Sequence, residues 1–189
     1  MKVSGQYDHG RYVIKTMAFG RKMKARAFAG RKAVADAEAA SVDEVVRVMR
    51  GLLDARDARE LAARLDGVPT QSEFADAFAR LEPKILDHHR HMLKAMLVAP
   101  DRTLSATELA ASAGYPTFAN AHDKFGKLAR LVAEDLGYEP DRRADGTPIW
   151  TLTLATGPDP KKDDGLWRWT MRPEVAASVS AMPFNRPVA

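Results

Sequence analysis

Thr103-Leu104-Ser105-Ala106-Thr107-Glu108-Leu109-Ala110-Ala111-Ser112-Ala113-Gly114-Tyr115 is the stretch on which the reading of this chain turns. Ser105 and Glu108 have the spacing of a capping box, in which the serine hydroxyl and the glutamate carboxylate each satisfy a free backbone amide. Leu109 and Ala110 are of the buried type, and Gly114 suits the left-handed residue that closes a short helix. Beyond Pro116-Thr117, Ala121, Phe125, Leu128, Ala129, Leu131 and Val132 recur at helical spacing. A short helix, a glycine turn and a longer helix follow the grammar of a helix-turn-helix.

The flanks extend that grammar. Residues 84–98 read as a helix with Ile85, Met92, Leu93, Met96 and Leu97 inward, and residues 99–102 as a turn. On the other side, Asp145-Gly146 is a turn signal, Ile149 to Leu154 reads as a strand, and Gly157 to Gly165 as a polar loop. Leu166 to Met171 reads as the return strand, and Pro173 opens a last helix over 173–182. A hairpin after the second helix is a wing, so residues 84–182 are expected to form a winged helix-turn-helix, with 183–189 as a tail. Trp150, Trp167 and Trp169 fall in that hairpin, Trp167 and Trp169 on one face by the two-residue period. They serve either as core or as a platform for stacked bases.

The residues also carry a resemblance. The run Thr103 to Ala110, Gly114-Tyr115, Asn120 and Lys124-Phe125-Gly126-Lys127-Leu128 resembles a winged-helix-like domain found alone or beside HNH-type nuclease modules in bacterial restriction-like proteins. Trp169-Thr170-Met171-Arg172-Pro173-Glu174 is similar to the tail of that domain. The resemblance covers roughly half the chain and implies a DNA-associated, defence-related setting without supplying a reaction. The His-Asn-His arrangement of a ββα-metal nuclease is not found in this sequence.

Toward the N-terminus the period changes from helical to alternating. Residues 11–17 and 23–28 read as strands, separated by a turn at Phe19-Gly20-Arg21-Lys22, and 33–39 as an alanine-rich third strand after Gly30-Arg31. Ser41 to Glu44 is a second capping box, opening a helix to about residue 55. A charged helical stretch continues to Gly67-Val68-Pro69, with Leu61 and Leu65 inward. The pattern resembles the β-β-α unit of HicB-type antitoxins. Thr70 then opens a short helix with Phe74, Phe78 and Leu81 on one face, ended by Pro83. The expected class is α+β. A basic β-β-α unit with a helical extension occupies 1–66, and a linker and short helix occupy 67–83. The winged helix-turn-helix and the tail follow.

Charge is unevenly spread. The chain of 189 residues has a net charge of +4, but residues 1–32 carry nine Lys and Arg against Asp8 alone. That segment is therefore +8 and the remainder −4. A basic segment on a slightly acidic body is either a footprint for a polyanion or a partner for its own acidic residues. Residues 101–137 sum to −1, fewer positive charges than a phosphate-gripping helix-turn-helix usually carries. The expected nucleic-acid contacts are Thr117, Asn120, His122, Lys124 and Lys127, with Asp123 on the same helix. Lys161, Lys162 and Arg168 are expected on the wing, and Arg21, Lys22, Lys24 and Arg26 on the basic sheet, with Lys24 and Arg26 on one strand face.

Other classes fit less well. There are no cysteines, so thiolate catalysis, disulfides and Cys-type zinc sites are excluded. No signal peptide is read at the start, and no apolar run approaches the ~20 residues that span a bilayer, so the expectation is a cytoplasmic protein without a membrane partner. The acids fall at ion-pair spacings, there is no phosphate-binding glycine loop, and no nucleophile stands with a base, so no enzyme is expected. Asp87-His88-His89-Arg90-His91 offers two-ligand pairs at helical spacing, which read as a polar face rather than a metal site; no cofactor is expected. The expected partner is double-stranded DNA, with a homodimer through 41–66 or 70–81 as a further expectation. The rival class is a protein-interaction module, such as a mobile-element inhibitor of a bacterial defence complex.

Overall fold

A computed structural model describes residues 4–157 and 167–182. The chain mixes helices with antiparallel strands and divides into two compact units. One unit comprises residues 1–70 and 76–82, the other 71–75 and 83–189. The boundary therefore cuts the helix Gln71–Leu81 (α2), within the stretch read as linker and short helix.

The first unit begins with four strands rather than two or three. They are Gly5–His9 (β1), Tyr12–Phe19 (β2), Lys22–Ala29 (β3) and Lys32–Ala39 (β4), paired in chain order as an antiparallel meander. The same dipeptide, Gly10-Arg11, Gly20-Arg21 and Gly30-Arg31, makes each connection, with its glycine at positive φ. A positive φ at the first central residue is what a tight hairpin of right-twisted strands needs. β1 escapes a propensity reading because it holds no β-branched residue; pairing of Tyr7 with Ile14 fixes it instead. Gly30 is constrained twice, since a Cβ there would also collide with the carbonyl of Ala79.

The helix Val42–Ala62 (α1) covers one face of this sheet. Ser41 Oγ accepts the Glu44 amide at 3.2 Å, and the Glu44 carboxylate accepts the Ala40 amide at 3.2 Å. Val45, Val46, Met49 and Leu53 are buried with Tyr12, Ile14, Ala25, Ala27 and Ala29. The strand alanines leave little side-chain bulk between helix and sheet, which explains why an alanine-rich β4 is stable there. Leu61 and Leu65, expected inward, are exposed. The inward stripe turns ionic after Leu53: Arg56, Asp57 and Glu60 take over the face that an apolar reading would have continued. Arg56 Nη1 lies 2.6 Å from Asp76 Oδ2, and Lys32 Nζ 2.8 Å from Asp76 Oδ1. The Tyr12 hydroxyl donates to Asp57 at 2.5 Å and accepts from Arg56 at 2.9 Å, and Arg11 donates to Asp57 at 2.8 Å. Burial opposes the charge on Arg11, but its bonds to Asp57 and Tyr12 outweigh this and hold the guanidinium above its ordinary range.

The second unit contains Asp87–Val98 (α3), Thr103–Ser105 (β5), Ala106–Ser112 (α4) and Phe118–Leu136 (α5). Ala155–Thr156 (β6), Arg168–Met171 (β7) and Pro173–Ser180 (α6) follow. β7 lies between β5 and β6, antiparallel to both. The Ser105–Glu108 capping box forms, with Ser105 accepting the Glu108 amide at 3.2 Å and Glu108 accepting the Ser105 amide at 2.7 Å. Gly114 sits at φ 76 in the turn between α4 and α5. The three strands and α3 to α6 enclose Met92, Leu93, Leu109, Phe125, Leu128, Trp169 and Val175, each fully buried.

Three expectations are corrected here. Ile149 to Leu154 is not a strand: Trp150–Thr153 forms a 3-10 turn packed on α5, and pairing begins only at Ala155. Thr151, Thr153 and Leu154 are buried, Ile149, Trp150 and Leu152 partly so, and Arg172 Nε donates to the Leu152 carbonyl at 2.9 Å. The hairpin therefore does not follow α5 directly, since residues 137–154 intervene. The tryptophans do not all fall in the hairpin: Trp150 lies in the 3-10 turn, while Trp167 precedes β7 and is about half exposed and Trp169 is fully buried.

His89 illustrates how this unit responds to acid. Its ring is buried, and Nδ1 accepts the Leu86 amide at 3.2 Å. Burial, with a smaller effect from His88, pushes its pKa down to about 4 from 6.5. An unfolded chain binds that proton between about pH 6.5 and 4 while the folded chain does not, so the contribution to stability is complete above 6.5 and is lost as pH falls through 4. Denaturant titrations at pH 7 and pH 4.5 should show a loss that His89→Gln reduces; an equal loss in both proteins would remove His89 as its source.

Candidate nucleic-acid interface

α5 presents a long outward face whose polar side chains stand clear of the core. Ala121, Phe125, Leu128, Ala129, Val132 and Ala133 are buried, which at 100° per residue turns Ala119, Asp123 and Lys127 outward. Asn120 and Lys124 lie on one flank of that outward face, and His122 and Gly126 on the other. Thr117 stands at the N-cap and donates from Oγ1 to Asn120 Oδ1 at 2.7 Å, so the two residues hold each other at the start of the helix. Phe118 beside them is exposed.

The cations of this face are engaged within the helix. Asp123 lies 2.8 Å from Lys127 Nζ and 3.1 Å from Lys124 Nζ, and Arg130 Nε lies 2.7 Å from Glu134. The bonds from Lys127 and then Lys124 hold the Asp123 carboxyl below its ordinary range. Such solvent-exposed pairs are weak, so phosphate oxygens can replace the carboxylates.

The flank bearing His122 opens into a cleft of about 330 Å³, lined by His122, Gly126, Arg143, Ile149, Trp150 and Trp167 together with Pro148 and Thr151. The His122 ring packs edge-on against buried Trp169, with centroids 4.7 Å apart. Burial, then the nearby Arg143 charge, lowers its pKa, so the ring is neutral at pH 7. The Arg130 guanidinium lies 5.5 Å from the centre of the Trp150 ring. Arg143 is absent from the site expected from sequence, which names Trp150 and Trp167 only as core or as a stacking platform. The only local signal is Arg142-Arg143 ahead of the Asp145-Gly146 turn, which does not show that the turn folds back to α5.

Of the expected contacts, the structure gathers Thr117, Asn120, Lys124 and Lys127 on α5, and sets His122 at the cleft. Arg168 begins β7 and is half-buried. Lys161 and Lys162 lie outside the described residues. Arg21 lies in the β2–β3 connection of the first unit, and Lys22 begins β3. Lys24 and Arg26 do share a face of β3, but each stands opposite an acid of β4: Lys24 Nζ lies 2.9 Å from Glu38, and Arg26 Nε 2.6 Å from Asp36. Much of the basic stripe is therefore answered by the strand beside it. The other open cations of this unit include Arg47 and Arg50 on α1, which line a recess with Tyr7 and Asp43.

Among the described residues no group of three or more His, Asp and Glu is arranged to hold a metal, and no helix is long and apolar enough to cross a membrane. No family model, curated protein or solved structure matches the chain.

Proposed function

We propose that residues 84–182 form a winged helix-turn-helix that binds double-stranded DNA without catalysing a reaction, with α5 entering the major groove. The observation that carries this reading is the element order. A helix, a short strand, a capped short helix and a long helix precede two strands that complete an antiparallel sheet with the first. Such an arrangement presents the N-terminal half of the second helix of the pair to base edges. Asn120 matches the donor and acceptor pattern of adenine, Lys127 and Lys124 suit guanine or phosphate, and Asp123 can accept from cytosine. The resemblance to domains of bacterial restriction-like proteins makes a regulatory or accessory part in defence the setting that fits.

A second reading is favoured by one specific observation: the lysines and arginine of α5 are all paired with its own acids, and Phe118 is exposed among them. A near-neutral face with an open aromatic suits a protein partner. The two readings separate in a titration of fluorescently labelled random-sequence duplex DNA followed by anisotropy at 50–200 mM salt. DNA binding predicts micromolar or tighter affinity that falls steeply with salt. No binding at the lowest salt would overturn that reading in favour of protein docking.

A further inference from the structure

We propose that the cleft beside α5 receives a single nucleobase with its phosphate, stacked against Trp150 and Trp167. The inference rests on the DNA-binding reading for its source of ligand, although the chemistry of the cleft stands apart from it. Three observations lead there. The first is composition: two indoles, His122, Thr151 and one cation, Arg143, line a volume of about 330 Å³, and no carboxylate does so among the described residues. That size is at the low end of small-ligand pockets, roughly 300–1,000 Å³, and suits one planar ring rather than a peptide side or a folded surface.

The second is the state of the side chains. Trp167 lines the cleft and is about half exposed immediately before β7, which leaves part of its indole open to a ligand. Among the described residues the Arg143 side chain donates only at long range, 3.3 Å to Thr147 Oγ1 and 3.4 Å to the Pro148 carbonyl, with the Asp145 carboxylate near enough to feel its charge. A guanidinium so loosely held keeps donors for a phosphate. Neutral His122, braced against Trp169, offers one ring nitrogen as donor and the other as acceptor, and Thr151 adds a hydroxyl; both suit the edge of a base.

The third is location. His122 and Gly126 lie one and two turns along the same flank of α5, next to the outward face that carries Asp123 and Lys127. A strand held on that face would pass the mouth of the cleft. A nucleotide could therefore come from the bound strand, extruded from its stack, or from solution as a free mononucleotide. The cost of extrusion is least where the base is unpaired.

The test compares a fully paired duplex with the same duplex bearing one unpaired central nucleotide, in the parent protein and in Trp167→Ala and Arg143→Ala. Stacking of a base on an aromatic side chain is worth about 1–3 kcal/mol, so the unpaired site should bind about five- to 150-fold tighter in the parent. Both variants should reduce that ratio toward one while melting like the parent, since both side chains are exposed or half exposed. Competition by AMP, GMP, CMP or TMP at millimolar concentration would assign the cleft to free nucleotides; no competition with a retained ratio would assign it to the strand. Equal affinity for both duplexes with no mononucleotide binding would overturn this inference and leave duplex binding standing. Mononucleotide binding without duplex binding would overturn the proposed function and keep the cleft. Failure of both would overturn both.

Discussion

Replacing Asp76 with alanine is expected to destabilise the first unit by about 3–5 kcal/mol, the usual cost of removing one member of a buried ion pair. Asp76 is 2% exposed and receives both Arg56 Nη1 at 2.6 Å and Lys32 Nζ at 2.8 Å. Lys32 can turn to water, because nearly half its side chain is exposed, but Arg56 is mostly enclosed between Tyr12, Glu60 and Asp76. Its charge would be left with only Glu60, at 3.9 Å, as an acidic neighbour among these contacts. The loss should therefore fall at the lower end of the range. Glu38→Ala provides the contrast: its pair with Lys24 is open to solvent, and its loss should cost far less than that of Asp76. Urea denaturation followed by circular dichroism checks both variants. Equal and small losses would show that the network around Asp76 is solvated and holds nothing together.

The second large effect is expected in binding. Asn120→Ala should lower affinity for a preferred duplex by about 1–3 kcal/mol, five- to 150-fold, and relax the choice of base at one position. The side chain sits at the first turn of α5, held by the Thr117 hydroxyl at 2.7 Å and clear of the core, so its orientation is set before DNA arrives. Lys127→Ala should behave differently: binding weakens on every sequence and the salt slope falls by about one. Site selection with each variant, followed by anisotropy on the selected duplex, distinguishes the two. An unchanged base preference in Asn120→Ala would remove that residue from readout.

Local signals in the sequence were sufficient wherever the chain answers itself within a few residues. The Ser41 cap, the Ser105–Glu108 capping box, the glycine that closes α4 and the apolar stripe of α5 are of this kind, although Glu44 reaches back to the Ala40 amide and not to that of Ser41. What depends on register was hidden. Glu38 and Asp36 lie opposite Lys24 and Arg26 only because Gly30-Arg31 sets the pairing of β3 with β4, so a +8 segment reads as an open patch until that pairing is known. Leu61 followed a helical period into a region where Arg56 and Asp57 had already taken the inward face for ions. The Ile149 to Leu154 run shows the same limit in a different form. The run packs against α5 as a 3-10 turn with Thr151, Thr153 and Leu154 buried, a choice that periodicity over six residues does not make. The α5 part of the site was legible because a helix face is local. The cleft was not, because Arg143 and Trp150 reach α5 from a connection with no regular element before the turn.

The central claim is that the outward face of α5 meets DNA. Amide chemical-shift mapping on the 189-residue chain during titration with duplex DNA tests it residue by residue. The account predicts the largest changes at Thr117, Asn120, Asp123, Lys124 and Lys127, decreasing as salt is raised. Binding whose changes leave α5 untouched and fall instead on the strands of the first unit would contradict it.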